Sequence, residues 1–596
     1  MSGAKSAIKN IQNALKNLQS AGKSAQDALE ILLSQEEFKD FPLLSLDFIH
    51  VVFTDPADAS SKALIDDYIA FTASPPTPTP APTAAPPTPA PTFMPTLGSC
   101  AVTSSRDLLD FPLQISADDI GSDIESGIRI VGGVGAGVGA SIAVGDIDND
   151  GREDTIIGAP NANKIYVVFG KTLTGPSLNV AAIETGTIPG IVIQSDSTRR
   201  TAPISHLGTS VASGDINLDG KDDIAFSTSV STCVVFGGVN LPQIIDYNDI
   251  VSSNLGVCTP LVSPAHIVLT DFNGDGSDDL IVPSVDQINI FLGDPSMSSN
   301  TNLTDSLLSI SLNITDGSYL WASAVGDLNE DHKQDLLITM QFEFSSRDTL
   351  PFPYAFIIFG IGIVDVRGPS TLELFDIGKP GDTAGVLIDG SAIFPSFIPN
   401  NPSKNSGDFN NDGYNDIAIS NQKNLDVFII YGPFNSDNNY IDISTIGTND
   451  TKGVLFLGSD LLTDNTRRVN SLLPETAGSL FKDLNNDNIT DFIIGYTGHD
   501  GPTPQSGKAY IVFGHNNPDA EISLLNLTSQ ITLIEGSYIG FGSSLASGDV
   551  NCDGIPDLLV GAPVDSQIFG RRGLVESPTP APAIDDNVFI FFGFGA

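Results

Sequence analysis

The sequence predicts a mainly β fold built from repeats, and three observations predict it. A nine-residue acidic pattern occurs seven times, beginning at Asp146, Asp215, Asp271, Asp327, Asp408, Asp483 and Asp549. Each copy runs into a β-forming segment, such as Thr155-Ile156-Ile157-Gly158, Leu280-Ile281-Val282-Pro283 or Leu558-Leu559-Val560-Gly561. A second β run then ends in an aromatic residue or Leu followed by Gly: Phe169-Gly170, Phe236-Gly237, Leu292-Gly293, Phe359-Gly360, Tyr431-Gly432, Phe513-Gly514 and Phe592-Gly593. Successive copies start 69, 56, 56, 81, 75 and 66 residues apart, room for one four-stranded blade each. In a chain of 596 residues, a period of this size indicates a repeat array or propeller.

The pattern reads as a cage of oxygens. Position 1 is Asp in every copy. Position 3 is Asp148 in the first and Asn217, Asn273, Asn329, Asn410, Asn485 or Asn551 in the others. Position 5 is Asp150, Asp219, Asp275, Asp331, Asp412, Asp487 or Asp553. Position 9 is Asp154, Asp223, Asp279, Asp335, Asp416, Asp491 or Asp557. A hard cation such as Ca²⁺ takes six to eight oxygens, and alternate residues of a tight loop turn their carboxylates toward one centre. Position 7 varies freely (Arg152, Lys221, Ser277, Lys333, Tyr414, Ile489, Ile555), as expected where only a backbone carbonyl is used. Position 6 is Gly in five copies and His332 or Asn488 in the other two, residue types that tolerate positive φ. Position 2 is always apolar, so one side chain turns inward. An EF-hand needs a bidentate Glu at position 12. Here that position holds Ile157, Phe226, Val282, Ile338, Ile419, Ile494 and Val560, so each loop opens into a strand instead.

Charge and cysteines narrow the function class. The net charge of −45 provides no basic footprint for nucleic acid. The loops hold 22 Asp, and seven bound Ca²⁺ would leave about −31, a self-repelling surface. Cys100, Cys233, Cys258 and Cys552 allow either two bridges, Cys233 with Cys258 and Cys100 with Cys552, or four free thiols. No secretory signal is evident at Met1. Millimolar-calcium cages and five Asn-x-Ser/Thr sequons, at Asn302, Asn313, Asn449, Asn488 and Asn526, nevertheless point to an extracellular or cell-surface glycoprotein. The most apolar window, 127–145, is Gly-rich and carries Arg129; it reads as strand and turn, and no membrane span is visible.

Three domains are expected in chain order. Residues 1–73 form a helical segment, with Ile8, Ile11, Leu15, Leu18, Leu29 and Leu32 near helical spacing. It is a self-contained hairpin or bundle, a coiled-coil oligomerisation device or a targeting peptide. Residues 74–96 are a Pro/Thr-rich linker, extended at about 3.1 Å per residue. A shorter echo, Ser577 to Pro582, reads as a loop within the last repeat. Residues 97–596 carry the repeats.

Phe541-Gly542-Ser543-Ser544-Leu545-Ala546-Ser547-Gly548-Asp549 followed by Val560-Gly561-Ala562-Pro563 resembles the FG-GAP repeat of integrin α-subunit β-propellers, as does Asp146 to Pro160. The resemblance implies a seven-bladed β-propeller with Ca²⁺, up to seven ions, held in turns on one face and ligands bound on the opposite face or rim. Integrins carry such cages in only some blades, whereas all seven copies here keep the ligands. Gly-Ala-Pro itself is intact only in the first and last repeats. The chain resembles an integrin in its head alone. Ring closure is expected from residues 100–120, supplying the outer strand of the seventh blade and placing Cys100 near Cys552.

No zinc-type or triad-like spacing occurs among His50, His206, His266, His332, His499 and His515, and the repeats lack GxSxG and P-loop patterns. Some enzymes append such propellers to a separate catalytic domain, but the first 100 residues are too short and too poor in catalytic residue types to be one. The chain therefore reads as a non-enzymatic adhesion module that presents a propeller face to an extracellular protein or glycan. The alternative is a structural subunit of a matrix, wall or appendage, assembled through the propeller and the N-terminal helix. The long inserts between repeats four and six are candidate contact loops, and Trp321 reads as core.

Overall fold

The computed structural model describes residues 114–593 apart from some connecting segments, the longest being 342–353, 458–475 and 564–584. The chain divides into two units, Met1–Met94 and Pro95–Ala596, and all described residues belong to the second. The helical segment, the linker and the Ser577–Pro582 echo lie outside the described residues, as do Cys100 and the sequons at Asn302, Asn313, Asn449 and Asn526.

Seven antiparallel sheets follow one another along the chain, one per repeat, and form a seven-bladed β-propeller. The first blade shows the plan. Ser141–Gly145 is innermost and runs directly into the acidic loop; Asp154–Ala159, Lys164–Val168 and Gly190–Gln194 follow outward. The apolar segments Gly190–Gln194, Gly385–Asp389 and Gly453–Leu457, which precede the second, fifth and sixth loops in sequence, are outer strands of the preceding blade. The true inner strands, such as Val211–Gly214 and Leu545–Gly548, are short and rich in Ala, Ser and Gly. Small residues fit where seven strands converge on one axis.

Strands buried on both faces explain the continuous apolar runs. Ile156 packs against the second blade with Ile224 and Phe226, while its neighbour Ile157 packs against the seventh with Leu559 and Val588. The core is therefore a circle of inter-blade layers. Each layer is closed on the outside by the helical or turn segment that precedes an outer strand, as Ile183 and Ile250 do.

Six blades also carry a fifth strand that the sequence did not announce. In five of them it comes from the connection between the third and fourth strands of the next blade, and in all six it pairs parallel to the outer strand. Ile244–Asp246, for example, pairs with Gly190–Gln194. The second blade has four strands among the described residues, ending at Gly256–Thr259. Cys233 and Cys258 face each other across its last two strands and are joined by a disulfide. Cys552 is also disulfide-bonded, to a partner outside the described residues.

Ring closure differs from expectation by about one strand. The outer strand of the seventh blade is Ile128–Val131, antiparallel to Asn587–Phe591. Gln114–Ser116, within the segment expected to close the ring, instead lies parallel to Ile531–Ile539 as the fifth strand of the sixth blade. Burial gives the reason. Ile128 and Ile130 are fully buried and complete the layer containing Val588 and Ile590, whereas Gln114–Ser116 stays partly exposed. Arg129 fixes the register by donating to Asn587 Oδ1 at 2.8 Å, with its guanidinium 5.0 Å from the Tyr538 ring centre.

Closure through Ile128–Val131 makes Ile130→Ala costly, about 2–5 kcal/mol by urea unfolding. Ile115→Ala is expected to cost a minor fraction of that. Equal losses would return the closing role to the earlier segment.

Candidate metal centres

Each acidic loop is wound by two left-handed residues. Position 6 has positive φ in all seven copies, including His332 at 67° and Asn488 at 67°. Position 4 does too: Asn149, Gly274, Asn411 and Asn486 are types that tolerate it, while Leu218, Glu330 and Cys552 are not. Such backbone lets successive N–H groups point inward at the position-1 carboxylate. In the first loop Asp146 accepts from Asp150 N at 3.0 Å and Gly151 N at 2.9 Å. The same pair of bonds recurs at Asp215, Asp271, Asp327, Asp408, Asp483 and Asp549. Position 5 accepts from the position-7 N–H in every loop. Asn at position 3 accepts from the position-5 N–H in all six loops that have it. The position-2 side chain is buried in all seven, as its apolar character requires.

Position 9 does something the sequence did not reveal. Its carboxylate is fully buried in all seven loops. One oxygen accepts the position-2 N–H, as Asp154 does from Ile147 at 3.0 Å. The other accepts the N–H of the aromatic-Gly element, as Asp154 does from Gly170 at 2.9 Å. The same pairing joins Asp223 to Gly237, Asp279 to Gly293, Asp335 to Gly360, Asp416 to Gly432, Asp491 to Gly514 and Asp557 to Gly593. This bond couples the two sequence signals. Burial is the main cause that pushes Asp154, Asp223, Asp279, Asp416 and Asp491 up to about 8 and Asp335 up to about 7; their backbone donors oppose it and the other loop acids add to it. A buried carboxylate beside two or three more acids is a site that favours a cation.

Fit to a hard cation is clearest in the first loop. Asp146, Asp148 and Asp154 each bring a carboxylate oxygen within 4.8 Å of the others. Asp148 is 7% exposed, and its Oδ1 is buried without a hydrogen-bond partner. In the other six loops the third donor is an Asn carbonyl, neutral but still an oxygen ligand.

Position 8 and the aromatic-Gly element then tie neighbouring repeats together. Asp222 and Asp278 accept from the position-1 N–H of the preceding repeat, Asp146 at 2.8 Å and Asp215 at 2.9 Å. Glu153 does the same for Asp549 at 2.5 Å, across the junction of first and last repeats. In four repeats the residue after the Gly donates to the preceding repeat's position-2 carbonyl, as Gly238 does to Ile147 at 2.8 Å. Space explains the Gly. A Cβ on Gly237 would lie 2.3 Å from the Asp222 carbonyl oxygen, and one on Gly293 would lie 2.3 Å from that of Asp278.

On the axis, the inner strands enclose a cavity of about 440 Å³, reached by Glu153, Asp222, Asp278 and Gln334, with Lys482 among its lining side chains. No helix among the described residues is long and apolar enough to cross a membrane. Trp321 is on the inner strand of the fourth blade, its ring 5.3 Å from that of His266.

Gly237→Ala is expected to cost about 2–4 kcal/mol by forcing two backbones apart. Gly238→Ala, with nothing within 4 Å of its Cβ, should be close to neutral in the same unfolding assay.

The FG-GAP repeat description matches residues 138–172 and 541–573, the repeats that retain Gly-Ala-Pro. Phosphatidylinositol-glycan-specific phospholipase D from Homo sapiens is 36% identical over 99 residues, 16% of this chain and 12% of that protein. The Mus musculus protein is 38% identical over 86 residues, 14% of this chain and 10% of that protein. The matched stretch thus spans about a tenth of the length of these relatives. Among solved structures, BBS1N in complex with ARL6DN, from a crystal soaked with lead, aligns over 77% of this chain and 94% of that one at 10% identity, with a TM-score of 0.33. The chain carries FG-GAP repeats and forms a seven-bladed β-propeller consistent with an integrin α-like head.

Proposed function

We propose that the protein is a calcium-stabilised extracellular or cell-surface binding module whose propeller presents a face to a protein or glycan ligand. The observation that carries the calcium reading is the buried, unpartnered Asp148 Oδ1 among convergent carboxylates, repeated in outline seven times. The side chains at positions 1, 3, 5 and 9 and the position-7 carbonyl would hold each ion. Bound there, Ca²⁺ screens the carboxylates from one another and pins the turn.

The binding reading rests on a rigid ring with an unequal surface. Nine large hydrophobic residues are exposed among those described, and Val230, Val239, Ile244, Val251 and Val262 fall in or beside the second repeat. Val251 and Val262 flank Gly256–Thr259, the outer strand without a fifth-strand neighbour among the described residues. The inserts between repeats four and six, the other candidate contact region, lie mostly outside the described residues. The reading is non-enzymatic, because an FG-GAP propeller is typically a non-catalytic binding module.

Calcium removal provides the test. EDTA should lower the melting temperature, since each site saturated at a hundredfold excess over its Kd contributes about 2.7 kcal/mol. Asp219→Asn should reduce the gain from calcium with little effect in EDTA, whereas Asp223→Asn, which disturbs a buried double acceptor, should destabilise the protein in both. An identical melt with and without calcium would overturn the calcium reading. For ligand binding, saturable capture of a member of a glycan and extracellular-protein panel is expected, weakened by Val251→Asp and Val262→Asp without a change in melting; failure of a folded, calcium-loaded protein to bind any member would argue against it.

A further inference from the structure

In every loop the second oxygen of the position-5 carboxylate meets a donor, and the donor has three sources. In the third, fifth, sixth and seventh loops it is the position-3 amide: Asn273 to Asp275 at 3.0 Å, Asn410 to Asp412 at 2.9 Å, Asn485 to Asp487 at 3.1 Å and Asn551 to Asp553 at 3.0 Å. In the second and fourth it is the position-7 ammonium, Lys221 to Asp219 at 2.8 Å and Lys333 to Asp331 at 2.9 Å. The first loop uses neither. Its position 3 is Asp148, which as a carboxylate cannot donate. There Lys171 reaches back from beyond the Phe169-Gly170 element. Its Nζ lies 3.2 Å from Asp150 Oδ2, touches Asp148 Oδ2 and sits 4.6 Å from the centre of the Phe169 ring.

Both partners depart from the repeat pattern. Asp148 is the one Asp at position 3, and the place of Lys171 is taken in the other repeats by Gly238, Asp294, Ile361, Pro433, His515 and Phe594, none of them Lys or Arg. Two departures in the same repeat touch each other. The loop concerned also borders the junction of first and last repeats, through Glu153 on Asp549.

We infer that Lys171 is a tethered cation for the first loop: it balances Asp148 and Asp150 when no divalent ion is bound, and an incoming ion must displace it. The inference rests on the calcium reading above for its second half only. An ammonium on a four-carbon stem neutralises carboxylates as a point charge but supplies no ligand oxygen. It leaves Asp148 Oδ1 unengaged. The first loop, richest in carboxylates, is therefore held below the calcium affinity those carboxylates would give alone, and it keeps its shape at low calcium. Lysines at position 7 do part of this in the second and fourth loops, but they engage only one carboxylate each.

The test uses the full chain carrying Lys171→Met, Asp148→Asn or both. Lys171 is 44% exposed in its side chain, so its truncation leaves the core intact. In EDTA, Lys171→Met should lower the melting temperature, and adding Asp148→Asn should restore it, because an amide then donates to Asp150 as in four other loops. In a calorimetric calcium titration, Lys171→Met should tighten one site by at least about tenfold. A Lys171→Met protein that melts like the wild type in EDTA overturns the charge-balancing role. An unchanged calcium isotherm overturns the displacement. Absence of any calcium uptake by the wild type overturns the calcium reading and the displacement with it, while the EDTA comparison still decides the role of Lys171 in the metal-free loop.

Discussion

The structure depends on one interaction repeated seven times: a buried position-9 carboxylate that accepts an N–H from its own loop and another from the end of its own hairpin. A buried charge is tolerable only when its lone pairs are engaged. Here the second N–H comes from a Gly 16 residues beyond the carboxylate in the first blade and 36 beyond it in the seventh. One side chain thus fixes where the loop begins relative to where the third strand ends. Insertions between those strands, such as the one in the last repeat, leave that end of the blade unchanged.

Blade-to-blade order follows from this. Once the aromatic-Gly turn is held by position 9, the next N–H reaches the preceding repeat's position-2 carbonyl in four repeats, and position 8 faces the preceding position 1, as Asp222 faces Asp146. Loop, hairpin end and neighbouring loop form one hydrogen-bonded belt at one end of the blades. The inter-blade apolar layers account for most of the burial, but they are non-directional. The belt supplies the direction, setting the angle at which one blade meets the next.

Much of this was legible in the sequence, and the misses have physical causes. The acidic spacing and the aromatic-Gly endings located all seven loops and third strands, because both need particular residue types at fixed offsets. Gly at position 6 announced one left-handed residue. The left-handed residue at position 4 was only partly announced: Asn149, Gly274, Asn411 and Asn486 are types that favour it, whereas Leu218, Glu330 and Cys552 adopt it because the loop's hydrogen bonds impose it. Inner strands such as Val211–Gly214 were hidden because close approach to the axis selects small residues over β-formers. The fifth strands were hidden by being as short as three residues, below the length at which alternation can be recognised. The closing strand was misplaced because both Gln114–Ser116 and Ile128–Val131 are short; burial on both faces, which a sequence does not display, separates them.

The belt is not uniform. At position 8 of the seventh repeat stands Pro556, which has no N–H for the Asp483 carbonyl, whereas Asp222, Asp278, Gln334 and Thr490 each donate theirs to the preceding repeat. The same joint, between sixth and seventh blades, is spanned by the amino-terminal strands, Gln114–Ser116 on one side and Ile128–Val131 on the other. Elsewhere the strap between blades is continuous with a hairpin; here it continues into residues 1–113. Tension carried along those residues therefore enters the ring at a joint that lacks one of the belt's hydrogen bonds, as a pull along a parallel strand first and on the closing strand next.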